Sequence, residues 1–156
     1  MSYSKNVIRG AKARDSGDYF EAELSRQAII DGIGFEKIPS GCRWVNSPKG
    51  LKAIGVKTPF DFMMFKNGRA IFFDAKSTDG NTFPHSKLEE HQVKSLAQIA
   101  SHGFKCGYLV KFVGIGFTWF PVEKLLKLNP RESLKPIDGI SLVTEAGSFT
   151  LMSLFL

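Results

Sequence analysis

Pro59-Phe60-Asp61-Phe62-Met63-Met64-Phe65-Lys66-Asn67-Gly68-Arg69-Ala70-Ile71-Phe72-Phe73-Asp74-Ala75-Lys76 is the stretch that decides the fold. Two apolar runs, 59–65 and 70–76, flank an Asn-Gly pair, the strongest short-range signal for a β-hairpin. With a two-residue turn, Lys66 faces Arg69 and opposed positions sum to 135. Asp61 then stands directly opposite Asp74. Side chains alternate along a strand, so Asp74 and Lys76 share one face while Ile71, Phe73 and Ala75 take the other. Opposed residues share a face, so Asp61 joins Asp74 and Lys76. A slip of one residue would undo this.

Two carboxylates facing each other across a ladder repel, and burial strengthens the repulsion. Such a pair persists when a cation compensates it. Hard oxygen donors suit Mg²⁺, which keeps several waters and bridges to phosphate. Lys76 lies where an ammonium can position an attacking water or steady charge on a phosphate. The alternative is a solvated pair on the outside of an amphipathic hairpin. Against it, the same face carries Met63, Phe65, Ala70 and Phe72, a core-like lining. Glu21 is a further candidate ligand, but Asp18-x-x-Glu21 also matches a helix capping box. The residues alone leave that choice open.

Working outward, residues 1–14 read as a mobile basic arm. Asp15-Ser16-Gly17-Asp18 offers caps for a helix to about Asp31, with Phe20, Leu24 and Ala28 as its buried stripe. Phe35–Pro39 predicts a short strand, and 41–57 a long basic loop, which in so small a domain is usually functional or disordered. Pro84–His102 predicts a helix, Gly107–Phe112 and Phe117–Pro121 two strands, and Val122–Leu128 a short helix. Strands near 141–144 and 148–154 are expected to close the chain. The order implies an α/β fold, a mixed central sheet flanked by helices, and 156 residues fit a single domain, 1–156.

Charge points to a polyanion. The net is +6, and it is localised. Lys5, Arg9, Lys12 and Arg14 in the arm, and Arg43, Lys49, Lys52 and Lys57 in the loop, are accompanied by no acid in either segment. Phosphate contacts release condensed counterions, so clustered positive charge favours nucleic acid. Trp44 is placed either to stack on a base or to pack the loop. No apolar run is long enough to cross a bilayer, and the first residues lack a secretory h-region. Cys42 and Cys106 and three histidines show no zinc spacing, so a reducing cytoplasm, with association to nucleoid or viral DNA, is the expected setting.

Asp61 followed by Asp74-Ala75-Lys76 resembles the signature of PD-(D/E)XK nucleases, whose core is restriction-endonuclease-like. The wider chain resembles Holliday junction resolvases. Arg9-Gly10, Phe20-Glu21, Ser40-Gly41, Lys66-Asn67-Gly68, Asp74-Ala75-Lys76-Ser77 and Phe120-Pro121-Val122-Glu123-Lys124-Leu125 are similar to the archaeal Hjc type. Thr82-Phe83-Pro84 through His91-Gln92 is similar to the RecU type. The resemblance implies Glu21, Asp61, Asp74 and the Ala75 carbonyl as metal ligands. It implies Lys76 as the catalytic lysine, Ser40 near the scissile phosphate and Gln92 in support. Asp74 stands where the family more often has Glu, and the 41–57 segment is longer than in most archaeal relatives.

The function implied is a metal-dependent endonuclease, using Mg²⁺ with Mn²⁺ able to substitute. It would act as a homodimer that nicks four-way DNA junctions symmetrically. The rivals are another nuclease of the superfamily, restriction-type or a repair nickase, and a non-catalytic DNA-binding module that keeps the fold.

Overall fold

The computed structural model describes the backbone of residues 3–156 and the side chains from Gly17 onward. In chain order the elements are α1 (Tyr3–Ile30), β1 (Gly34–Lys37), β2 (Gly41–Ser47), β3 (Gly50–Val56), β4 (Phe62–Lys66), β5 (Arg69–Thr78) and β6 (Phe83–Pro84). Then follow α2 (Glu90–Ala100), β7 (Lys105–Phe112), β8 (Gly116–Pro121), α3 (Val122–Lys127), β9 (Ser133–Leu134) and β10 (Ile140–Ser141). The main sheet has the order β1-β4-β5-β7-β8-β10, and only the β5–β7 pair is parallel. This is the mixed sheet expected.

The predicted hairpin forms in the predicted register. Phe62 pairs with Phe73 and Lys66 with Arg69. Asn67 (φ 50°) and Gly68 (φ 75°) supply the two left-handed residues that such a turn demands. Phe62, Met64, Ile71 and Phe73 face α1, whose Phe20, Leu24 and Ala28 are buried against them as expected. The opposite side of the sheet packs α2 and α3 through Leu96, Tyr108, Val110, Phe120, Val122 and Leu125. Near the turn that side is less covered than the apolar lining suggested: Phe65 is 44% exposed.

Four expectations are corrected. Residues 3–14 are not a separate arm, because α1 begins at Tyr3, which puts Asp18 inside the helix rather than at its cap. The side chains of Lys5, Arg9, Lys12 and Arg14 lie outside the described residues. Segment 41–57 is not a loop but a two-stranded hairpin, β2–β3, closed by Pro48-Lys49. The helix predicted from Pro84 starts at Glu90, because Phe83 and Pro84 pair with Leu134 and Ser133 instead. The apolar C-terminal segment is a short 3₁₀ turn rather than a strand; Leu151, Leu154 and Phe155 plug the α1-side core. Arg69 and Lys105 anchor that turn by donating to the carbonyls of Phe155 and Leu154.

Gly107, on β7 opposite Pro121, shows how tightly β8 lies against it. A Cβ there would sit 2.2 Å from the Phe120 carbonyl oxygen and 2.9 Å from the Trp119 ring. Neither neighbour can retreat, since Trp119 and Phe120 are fully buried. Gly107→Ala is therefore expected to cost on the order of 3 kcal/mol, measured as a fall in urea midpoint at unchanged m-value.

Candidate active site

The ladder register, extended by one residue past Phe62–Phe73, brings Asp61 opposite Asp74. The two carboxylates meet on the α2 side of the sheet, where Asp74 neighbours Tyr108 across the parallel β5–β7 pair. Asp74 is completely buried. Lys76, two residues on and on the same side, stands 2.9 Å from Asp74 Oδ2 and 2.6 Å from Glu89 Oε1. The three residues that the sequence placed on one face are together.

A cavity of about 460 Å³ opens beside them. Asp61, Ala75 and Lys76 line it, with Glu21, Lys37 and Ser40 on the opposite wall. Asp74 is out of solvent and is not part of that lining. Neither Asp74 oxygen has a hydrogen-bond donor of good geometry among the described residues. Lys76 approaches Oδ2 as a charge contact rather than an aligned bond. Two facing carboxylates have no donor between them until one takes a proton. Burial first, and then the shared contact with Asp61, push the Asp74 carboxyl up to about 8, against the opposing pull of Lys76. Burial alone would lower Lys76, but Asp74 and Glu89 outweigh it and hold the ammonium above the ordinary lysine range.

Asp61 is held from two sides. Thr58 Oγ1 donates to Asp61 Oδ1 at 3.2 Å, and Gln92 Nε2 donates to the same oxygen at 3.2 Å. Gln92 is buried and in turn accepts from Tyr108 Oη at 3.3 Å. The structure thus brings Gln92 to Asp61. Sequence reading missed Thr58, Tyr108, Lys37 and Glu89. Nothing local marks Tyr108, whose position follows from the long-range β5–β7 pairing.

Glu21 is placed differently from expectation. Its two oxygens accept from Lys37 Nζ at 2.6 and 2.7 Å, across the cavity wall from β1. Among the described residues no three His, Cys, Asp or Glu side chains gather at metal-holding distance. The structure thus pairs Glu21 with Lys37 rather than gathering it with Asp61 and Asp74. The residues present nevertheless fit a hard divalent cation: two convergent carboxylates, one of them buried with both oxygens orphaned, beside an open cavity. Ser40 is exposed at the cavity edge and makes no side-chain hydrogen bond among those described.

Arg43, Lys49, Lys52 and Lys57 are all exposed on or beside the β2–β3 hairpin. Trp44 is 67% exposed, so it does not pack the segment as one reading had it.

Residues 46–135 match the family described as Recombination protein U, RecU, which is more than half of the chain. The chain belongs to the RecU family. The RecU match runs from the end of β2 through β9 and so contains Asp61, Asp74, Lys76 and Gln92, while Glu21 and Ser40 precede it. A solved structure of Hjc, a Holliday junction resolvase from the archaeal hyperthermophile Archaeoglobus fulgidus, is similar to this RecU-family chain with a TM-score of 0.58. The identity is 15%, over 84% of this chain and 99% of that one, which establishes a shared fold. No curated protein gives a significant sequence match.

With Asp61 bonded to Gln92, that amide is expected to support the site without taking part in chemistry. Gln92→Ala frees Asp61 Oδ1 from one of its two donors and should lower nuclease turnover by roughly 10- to 100-fold. Cleavage of radiolabelled DNA under single-turnover conditions measures it, with a folded circular-dichroism spectrum as the control.

Proposed function

We propose that the protein is a divalent-metal-dependent DNA endonuclease that resolves four-way junctions as a two-fold homodimer nicking paired strands. The observation that carries this reading is the buried Asp74, facing Asp61 with no aligned hydrogen bond to either of its oxygens, beside Lys76 at an open cavity. Membership of the RecU family and a fold shared with a Holliday junction resolvase support a branched DNA substrate.

Asp61, Asp74 and the Ala75 carbonyl would hold the metal, Mg²⁺ first and Mn²⁺ in its place, with Glu21 joining once released from Lys37. That ion would supply Lewis acidity for phosphodiester hydrolysis at neutral pH. The remaining work falls to the chain's own residues. Thr58 and Gln92 orient Asp61 so that one carboxylate oxygen is fixed. Lys76 presents an ammonium to the scissile phosphate and steadies the charge that develops there. Ser40, at the edge of the cavity, is positioned to contact the phosphate. Water attack in line leaves a 5′-phosphate and a 3′-hydroxyl. The setting we assign is the cytoplasm, on nucleoid or viral DNA.

The hairpin supplies the grip. Arg43 pairs with Ile54 and Val45 with Lys52, so both cations lie on one face of β2–β3, and Lys49 sits at the tip. Phosphate contacts carry no base identity, which suits an enzyme reading branched shape. Replacing Arg43, Lys49 and Lys52 together by Gln should flatten the slope of log Kd against log salt by about 3, read by fluorescence anisotropy.

Gel cleavage of a four-way junction, a flap and a linear duplex, with Mg²⁺ and Ca²⁺ in parallel, tests the function. The expected result is paired symmetric nicks in the junction with Mg²⁺, and binding with little cutting in Ca²⁺. Cleavage in excess chelator, or equal cutting of linear duplex, defeats the reading.

A further inference from the structure

Glu89 occupies the residue before α2, yet its carboxylate caps nothing. Side chains at that position ordinarily accept from the first free N–H groups of the helix. Here the carboxylate instead reaches Lys76 Nζ at 2.6 Å, a short charge-assisted bond. The backbone of Glu89 is fixed independently. Its N–H meets Tyr108 Oη at 3.3 Å, and its carbonyl accepts from the N–H groups of Gln92 and Val93. Tyr108 and Gln92 lead back to Asp61. A circuit of contacts thus runs from Asp61 through Gln92 and Tyr108 to the Glu89 backbone, and from the Glu89 carboxylate through Lys76 to Asp74.

Within that circuit Lys76 needs a second anchor. A lysine ammonium sits on a flexible four-carbon stem and carries three donors free to rotate. Asp74 offers proximity without alignment, since neither of its oxygens is hydrogen-bonded. Glu89 offers the aligned bond from the other side. We propose that Glu89 is a positioning residue, which holds the Lys76 ammonium at the cavity mouth in the orientation used on the scissile phosphate. This rests on the nuclease reading above, but the geometry it asserts is testable without turnover.

Three variants separate the possibilities. Glu89→Ala removes the anchor, and Glu89→Gln removes its charge. Glu89→Asp shortens it by one methylene, out of reach of Lys76, while giving α2 a better cap. All three are expected to fold, because the Glu89 side chain is half exposed. Ala and Asp should lower the single-turnover rate on a four-way junction roughly tenfold, with Kd in Ca²⁺ unchanged within about twofold. The melting temperature of Glu89→Asp should not fall, whereas a purely structural role predicts that rate and stability move together. In a Lys76→Ala background Glu89→Ala should have no further effect on rate.

The second readout is ¹⁵N NMR of the lysine side-chain ammonium groups in metal-free protein. The Lys76 Nζ resonance should be ordered in the native chain and motionally averaged in Glu89→Ala, with Glu89→Gln between them. An unchanged Lys76 resonance, or an equal loss of rate from Glu89→Ala with and without Lys76, overturns the proposal. If the native protein cuts no junction but the Lys76 resonance still depends on Glu89, the nuclease reading fails and the positioning contact stands.

Discussion

Asp74→Asn is expected to abolish junction cleavage and, in metal-free buffer at pH 8, to make the protein more stable. The two effects have one origin. Asp74 is fully buried, faces Asp61, and has its carboxyl pushed up to about 8 from an ordinary 3.8. In the unfolded chain it ionises near 4, whereas in the folded chain it resists until about 8. Between those values the folded state binds the extra proton, so stability is full below about pH 4 and is lost as pH rises through about 8. Asparagine has no proton to lose and escapes the penalty. Because the variant also leaves the Lys76 ammonium without one of its two charged partners, we expect a gain of about 2 kcal/mol at pH 8, or roughly 4–8 °C in Tm, with little difference at pH 4. Excess Mg²⁺ should raise the Tm of the native chain but not of the variant, since only the former keeps both carboxylates. Cleavage should fall on the order of 10³-fold or more. Calorimetry at pH 4 and 8, with chelator and with Mg²⁺, checks the stability half. A variant less stable than the native chain at pH 8 without metal would show that the buried carboxylate is not strained by its charge.

Lys76→Met is expected to do the opposite for stability while also removing activity. Methionine keeps the length of the stem but takes away the ammonium that stands between Asp74 and Glu89. Two carboxylates, the buried Asp74 and the half-exposed Glu89, are then left without that cation. Lys76 is held above its ordinary 10.5, so its contribution is full at pH 8 and fades only in strong alkali. Lys76 is 22% exposed, and screening trims the cost of a broken buried pair to about 2–3 kcal/mol. Cleavage should drop roughly 10²- to 10³-fold. The double variant Asp74→Asn with Lys76→Met should regain most of the lost stability, because the stranded charge is gone. Additive effects in that cycle would mean that the two side chains do not interact.

The site was legible because its decisive contact is local. The Asn67-Gly68 turn fixes register, and register alone carries Asp61 to Asp74 and puts Lys76 on the same side. The α1 stripe of Phe20, Leu24 and Ala28 was legible for a similar reason, since its period is set within the element. Where the reading failed, the physics was either featureless or distant. Strand β3 is exposed throughout and β2 is half-buried only at Val45 and Ser47, so no apolar alternation marks them. The early turns of α1 contain Gly10 and Gly17 with Asp15 and Ser16, which locally favour an end or a cap. Residues 84–88 suit a helix locally, but Phe83 finds Leu134, fifty-one positions away, and the helix yields. The Lys37 partner of Glu21 was equally out of sight, because β1 brings it there from sixteen positions away.

The division of the interior into two halves sets an order of events during synthesis. The half beneath α2 draws on residues between Phe83 and Leu134, and it can close as soon as that much chain has emerged. The half beneath α1 waits for Leu151, Leu154 and Phe155. On the ribosome the acidic pair therefore gains its α2-side wall while the other flank of the sheet is still open. A chain cut after Leu134 and held outside the ribosome by a C-terminal linker should bind a dye specific for exposed apolar surface, and the chain carried through residue 155 on the same linker should not.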